Sequence, residues 1–275
     1  MPSPHHSKSH SISSKPPVPP EPLLLPSDDP DTFLTLMADT LRLSTETLTM
    51  AYVYIHRYKR WVSESTSKEP DLNVSELLDE HTLSLASLSL ATKATESPRR
   101  LREFLVPAYT LQHPTAAEPL TFPSPLYDTL RSTLVTAELL LLRVLRFELR
   151  VPLPYEYLSR LLEKALTLSE QLASVSAEDR LESRVVDLKD TALGRAVWMK
   201  VGDAMRSYRI CNFFPARAVA AACVFHVAVV ERGLKAPGEH KVWLKKVAGE
   251  RVEYEDFVDA LEEIGALAAS READA

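Results

Sequence analysis

Residues 130–157 read LRSTLVTAELLLLRVLRFELRVPLPYEY, a leucine-rich stretch with one carboxylate, Glu138, ahead of its Leu run and a Val-Pro-Leu-Pro break after it. Leu139 to Leu142, Val144, Leu145, Phe147 and Leu149 leave almost no polar face, so the pattern predicts a helix buried on most sides. Arg143 and Arg146 interrupt it too early for a membrane span. A carboxylate in such a helix must reach water, a cation or backbone N–H donors, because a buried unpaired charge is costly. On this stretch alone, Glu138 is as well accounted for by pointing out beside Arg131 or Arg143 as by a buried partner.

Upstream, residues 83–105 read LSLASLSLATKATESPRRLREFL: a Ser/Ala/Leu helix running into Lys93, Glu96 and Pro98, then a second helix. Side chains this small let neighbouring helices approach on every side, as the central helix of a bundle requires. Residues 31–62 are helical in period, with Leu48, Tyr52, Ile55 and Val62 on one face. The polar run from Val62 to Glu80 is expected to be a surface insertion. A Pro-rich loop from Gln112 to Pro125 precedes the Glu138 helix and completes a unit of five helices.

After Pro152 and Pro154 the pattern begins again. Tyr157, Leu158, Leu161, Leu162, Ala165, Leu168 and Leu172 mark one amphipathic helix, and Val197, Val201, Ala204, Met205 and Tyr208 the next. PARAVAAACVFHVAVVERGLKAP, residues 215–237, is a second small-residue helix ending near a proline, as the first did before Pro98. Two helices around Trp243 and Phe257 close the chain. No stretch alternates apolar and polar residues for long, so the fold class is all-α with two tandem five-helix units. Residues 1–30 hold nine of the twenty prolines and are expected to be a disordered Pro/Ser/His-rich tail.

These features resemble the cyclin family. Its first cyclin box has a small-residue central helix ending in Lys followed by acids and Pro, and a later helix of the form Glu-x-x-x-Leu-(Lys/Arg)-Val-Leu-x-Phe-x-Leu. Lys93, Glu96 and Pro98 match the first pattern; Glu138, Leu142, Arg143, Val144, Leu145, Phe147 and Leu149 match the second. Ala94 and Thr95 stand where cyclins commonly carry a larger apolar residue and an acid. The chain looks most like cyclin Q and the transcription-linked cyclins K, L, T and C. The resemblance implies the cyclin fold, with an N-terminal cyclin box at 31–150 and a C-terminal one at 151–270. It implies a non-catalytic regulatory subunit that binds and activates a cyclin-dependent Ser/Thr protein kinase acting in RNA polymerase II transcription. Kinase-binding roles are implied for Lys93, Glu96 and Glu138, with Lys93 and Glu138 as the paired charges at the kinase contact and Leu142 and Phe147 either flanking them or sitting in the core. A nuclear location, with or without a cytoplasmic pool, is implied too. The alternative is a cyclin-fold transcription adaptor that grips polymerase or promoter factors without a kinase.

Composition narrows the classes further. The 275 residues are 45% hydrophobic, enough for one large core or two small ones, and the net charge of −6 argues against direct nucleic-acid binding. Lys241, Lys245, Lys246 and Arg251 are read as a solvated helix face. All six glycines lie from Gly194 onward, so the first 193 residues hold neither a P-loop nor a dinucleotide fingerprint. No kinase signature is present. Cys211 and Cys223 are read as small apolar fillers in a reduced compartment. The histidines show no metal-ligand spacing. The expectation is therefore a protein that is not an enzyme, with no cofactor, no metal and no membrane partner.

Overall fold

The computed structural model describes residues 29–68, 77–114, 116, 118–172 and 187–274, the last four without their side chains. Residues 1–28, where the disordered tail is expected, lie outside the described residues, as do positions 69–76 of the expected insertion. Asp29 and Pro30 already belong to the first helix: the Asp29 carboxylate accepts from Thr32 N at 2.8 Å, and Pro30 occupies a first-turn position that needs no N–H partner.

Five helices form the first unit: α1 (Pro30–Thr40), α2 (Thr45–Lys68), α3 (Glu80–Ala94), α4 (Leu101–Gln112) and α5 (Pro125–Val144). The second unit holds α6 (Tyr155–Leu172), α7 (Ala192–Ala204), α8 (Tyr208–Phe213), α9 (Ala216–Phe225), α10 (His240–Val247) and α11 (Tyr254–Asp274). No strand occurs among the described residues, and none of their helices is long and apolar enough to cross a membrane.

Each unit is built around its small-residue helix. In α3, Ser84, Ala86, Ser87, Ser89, Ala91 and Thr92 are all buried, and α1, α2, α4 and α5 pack around it. In α9, Ala218 to Cys223 are buried, and α6, α7 and α11 pack against it. Side chains of one to three heavy atoms leave the larger residues of the surrounding helices to fill the space, which is how a helix tolerates neighbours on all sides. α9 runs on into a π-turn over His226–Glu231, and Gly233, at φ 67°, ends it in a left-handed conformation suited to glycine.

Three details differ from the sequence expectations. Residues 62–68 continue α2 rather than opening an insertion, since alternating Ser, Glu and Thr are tolerated on a solvated helix face. Tyr208 does not prolong α7: the chain turns at Met205–Ser207, where the Ser207 side chain caps a new helix, α8. α5 is not buried on most sides. Leu134, Ala137, Glu138, Leu141 and Leu145 face the core, while Val135 and Leu139 on the opposite face are 37% and 52% exposed.

The two units meet along α2, which packs on α8 and α7. Arg206, in the turn before α8, pairs with Asp31 at 3.0 Å, and its carbonyl accepts from His56 Nε2 at 2.9 Å. Tyr52 also donates to Asp31. A backbone acceptor fixes the proton on Nε2, leaving Nδ1 of His56 an unpartnered buried acceptor. Burial holds the His56 pKa down at about 4.

Candidate functional site: the charged pair on α3 and α5

Lys93 stands in the last turn of α3 and Glu138 on the core-facing side of α5, and the packing of these two helices brings them together. Lys93 Nζ lies 2.8 Å from both Oε1 and Oε2 of Glu138, a two-point ion pair. Ser89, one helical turn before Lys93, donates its hydroxyl to Glu138 Oε1. The Glu138 side chain is 10% exposed, while the Lys93 side chain is 45% exposed. Glu138 thus points toward Lys93, not outward beside Arg131 or Arg143. The pair is anchored at one end and open to a partner at the other.

The flanks of the pair are apolar and uncovered. Leu139 adjoins Glu138 in sequence, Leu142 is half-buried one turn on, and Phe147 is 69% exposed. Phe147 is therefore not a core residue. It follows Arg146 in a left-handed stretch, with φ of 53° and 61°, and its N–H bonds back to the Leu142 carbonyl at 2.9 Å, closing the end of α5. A bulky non-glycine residue rarely takes this conformation, and here it holds the phenyl ring in solvent.

The segment after α5 is tied down from α2. The buried Tyr54 hydroxyl, whose pKa burial pushes up, donates to the Leu149 carbonyl at 2.5 Å, and Arg57 reaches Glu148 at 3.5 Å. Glu96, at φ 57° just beyond α3, does not join the Lys93–Glu138 pair. It reaches Arg150 at 3.5 Å, with both side chains largely in water, an interaction of little energetic weight.

Sequence reasoning missed Ser89, Val135 and Leu139. Spacing carried a signal for each. Ser89 precedes Lys93 by four residues on the same helix face, and Val135, Leu139 and Leu142 recur at i, i+4 and i+7 as a second apolar stripe beside the one that packs inward. Among the described residues no group of His, Cys, Asp or Glu is placed to hold a metal ion.

A tandem pair of helical bundles, each with a small-residue central helix, and a charged pair where α3 meets α5 define the class of fold. Residues 31–150 match the family Cyclin, N-terminal domain. It is 24% identical over 215 residues to cyclin-T1-4 of Arabidopsis thaliana, covering 77% of this chain and 34% of that protein. It is 24% identical over 214 residues to cyclin-T1-3 of Oryza sativa subsp. japonica, covering 77% and 37%. The chain thus spans about a third of the length of the curated relatives it matches. A chain in the crystal structure of the yeast RNA Pol II CTD kinase CTDK-1 complex superposes with a TM-score of 0.55 at 13% identity, over 86% of this chain and 62% of that one, a likeness of fold.

Proposed function

We propose that this chain is the regulatory subunit of a cyclin-dependent Ser/Thr kinase of the transcription-linked class, acting in the nucleus and contributing no catalytic group of its own. On this reading Lys93 and Glu138 hydrogen-bond to the kinase backbone, and Leu139, Leu142 and Phe147 bury apolar surface around them. Residues 151–270 form the second cyclin box. The observation that carries the reading is a charged pair already assembled in the free chain, flanked by exposed leucine and a phenylalanine held in an unfavourable backbone conformation. The T-type relatives and the CTD-kinase neighbour support the transcription-linked class.

Activation is then a population shift. A partner that binds the active arrangement of a kinase better than the inactive one stabilises it by the difference in affinity. Moving a kinase from mostly inactive to mostly active takes roughly 5 kcal/mol of such difference, within reach of an apolar interface of ordinary size. Affinity purification of the tagged chain from its native cells tests the proposal. Recovery of a cyclin-dependent kinase with phosphotransfer activity, reduced for Lys93→Ala/Glu138→Ala, is the expected result; recovery of polymerase or promoter factors without any kinase would favour the adaptor reading.

A further inference from the structure

Where α6 meets the start of α9 and the end of α10, the second unit forms an open cavity of about 420 Å³ lined by Arg160, Lys164, Arg217 and Arg251. These elements contribute nothing to the Lys93–Glu138 surface, and a ligand held here would be independent of the kinase reading. The sequence suggested solvated charge here, because Arg251 follows a lysine-rich helix. The fold instead gathers Arg251 with three cations from two other helices.

The charges do not cancel. Among the described residues Arg160, Lys164 and Arg251 make no side-chain hydrogen bond or ion pair with any carboxylate. The two acids lining the cavity are engaged elsewhere: Glu156 Oε1 accepts from Leu153 N at 3.2 Å, and Glu250 faces Lys245 at 3.6 Å. Four cations against two carboxylates leave an excess of two positive charges, the charge that a phosphate monoester dianion neutralises. Arg217 is the most fixed of the four, its guanidinium 4.6 Å from the centre of the Tyr157 ring. It also stands in the first turn of α9, whose N-cap, Pro215, offers no side-chain acceptor to the free helix N–H groups. Arginine forks match phosphate oxygens two at a time, and three of the four cations are arginines.

We propose that this cavity binds a phosphorylated serine or threonine presented by a peptide. Its volume lies within the range of about 300–1,000 Å³ typical of ligand sites and exceeds what a lone phosphate fills. Tyr157, half-buried in its lining, supplies apolar surface for residues beside the phosphate.

The test is a titration of the full chain, followed through its arginine side-chain Nε–H resonances. The probes are a phosphoserine-centred peptide library with degenerate flanks, the same library without phosphate, inorganic phosphate, and chloride at matched ionic strength. The proposal predicts saturable shifts confined to Arg160, Arg217 and Arg251, tighter for the phosphopeptides than for inorganic phosphate. It predicts about tenfold weaker binding in Arg160→Ala/Lys164→Ala, two positions on the solvent side of α6. Arg251→Ala, an exposed position, provides a second variant whose spectrum otherwise matches the native one. Equal response to chloride, shifts spread over all arginines, inorganic phosphate binding as tightly as the peptides, or undiminished binding by both variants would each overturn it.

Discussion

Replacing Lys93 by alanine leaves the Glu138 carboxylate, on a side chain 10% exposed, with the Ser89 hydroxyl as its remaining side-chain partner. Breaking a fully buried ion pair from one side costs about 3–5 kcal/mol. Here the lysine is 45% exposed and half solvated, so the expected loss is smaller, about 2 kcal/mol. Glu138→Gln removes the charge while keeping an acceptor for Ser89 and is expected to cost about 1 kcal/mol, the lost charge assistance of the hydrogen bonds. In the double variant the carboxylate leaves with its cation, so the penalty of an unpaired buried charge vanishes and the combined cost falls short of the sum. The expected coupling is about 1–2 kcal/mol. Urea unfolding of the wild type, both single variants and the double variant, followed by helical circular dichroism, measures it. A coupling inside the roughly 0.3–0.5 kcal/mol scatter of independent sites would refute the pairing. For the same reason Lys93→Ala/Glu138→Ala is expected to stay folded, so its loss of partner binding reports on the surface rather than on unfolding.

Phe147→Gly relieves a left-handed backbone, and because it also loosens the unfolded chain the net stability change is expected within about 1 kcal/mol; kinase association should nevertheless fall, read by pull-down alongside thermal unfolding. His56 is buried neutral with a folded pKa near 4 against an unfolded value of 6.5, so the unfolded state binds more protons between those values. Stability is expected to be unaffected by this group above pH 6.5 and to decline as pH falls toward 4, by up to about 3 kcal/mol, a decline that His56→Gln should flatten in a pH series of urea midpoints. Gly194→Ala would place a Cβ 1.7 Å from the Leu188 carbonyl oxygen, so it is expected to destabilise by about 3 kcal/mol, seen as a lowered urea midpoint.

The fold was legible because its two central helices announce themselves. Runs of Ser and Ala long enough to be helices are useful only where neighbours crowd every side, and they recur once per unit with a proline beyond. The ion pair was legible through the cyclin resemblance; composition alone left Glu138 free to face Arg131 or Arg143. What the pattern hid was the outer face of α5. Leucine reads the same whether it packs inward or waits for a partner, so Leu139 looked like core and is half in water. The break at Ser207 was hidden for a similar reason, since Tyr208 continues the apolar spacing of α7 while starting a new helix. The cavity between α6 and α10 was invisible because its cations come from segments up to 91 positions apart, and only the packing brings Arg160 beside Arg251.

The central claim is that this chain activates a kinase through the surface around Lys93 and Glu138. Its most direct test is the phosphotransfer rate of the recovered kinase alone, with the purified wild-type chain, and with Lys93→Ala/Glu138→Ala of confirmed helicity. The account predicts strong stimulation by the wild type and little by the double variant at equal concentration. Equal stimulation by both would contradict the assigned contact, and no stimulation by the wild type would contradict the function.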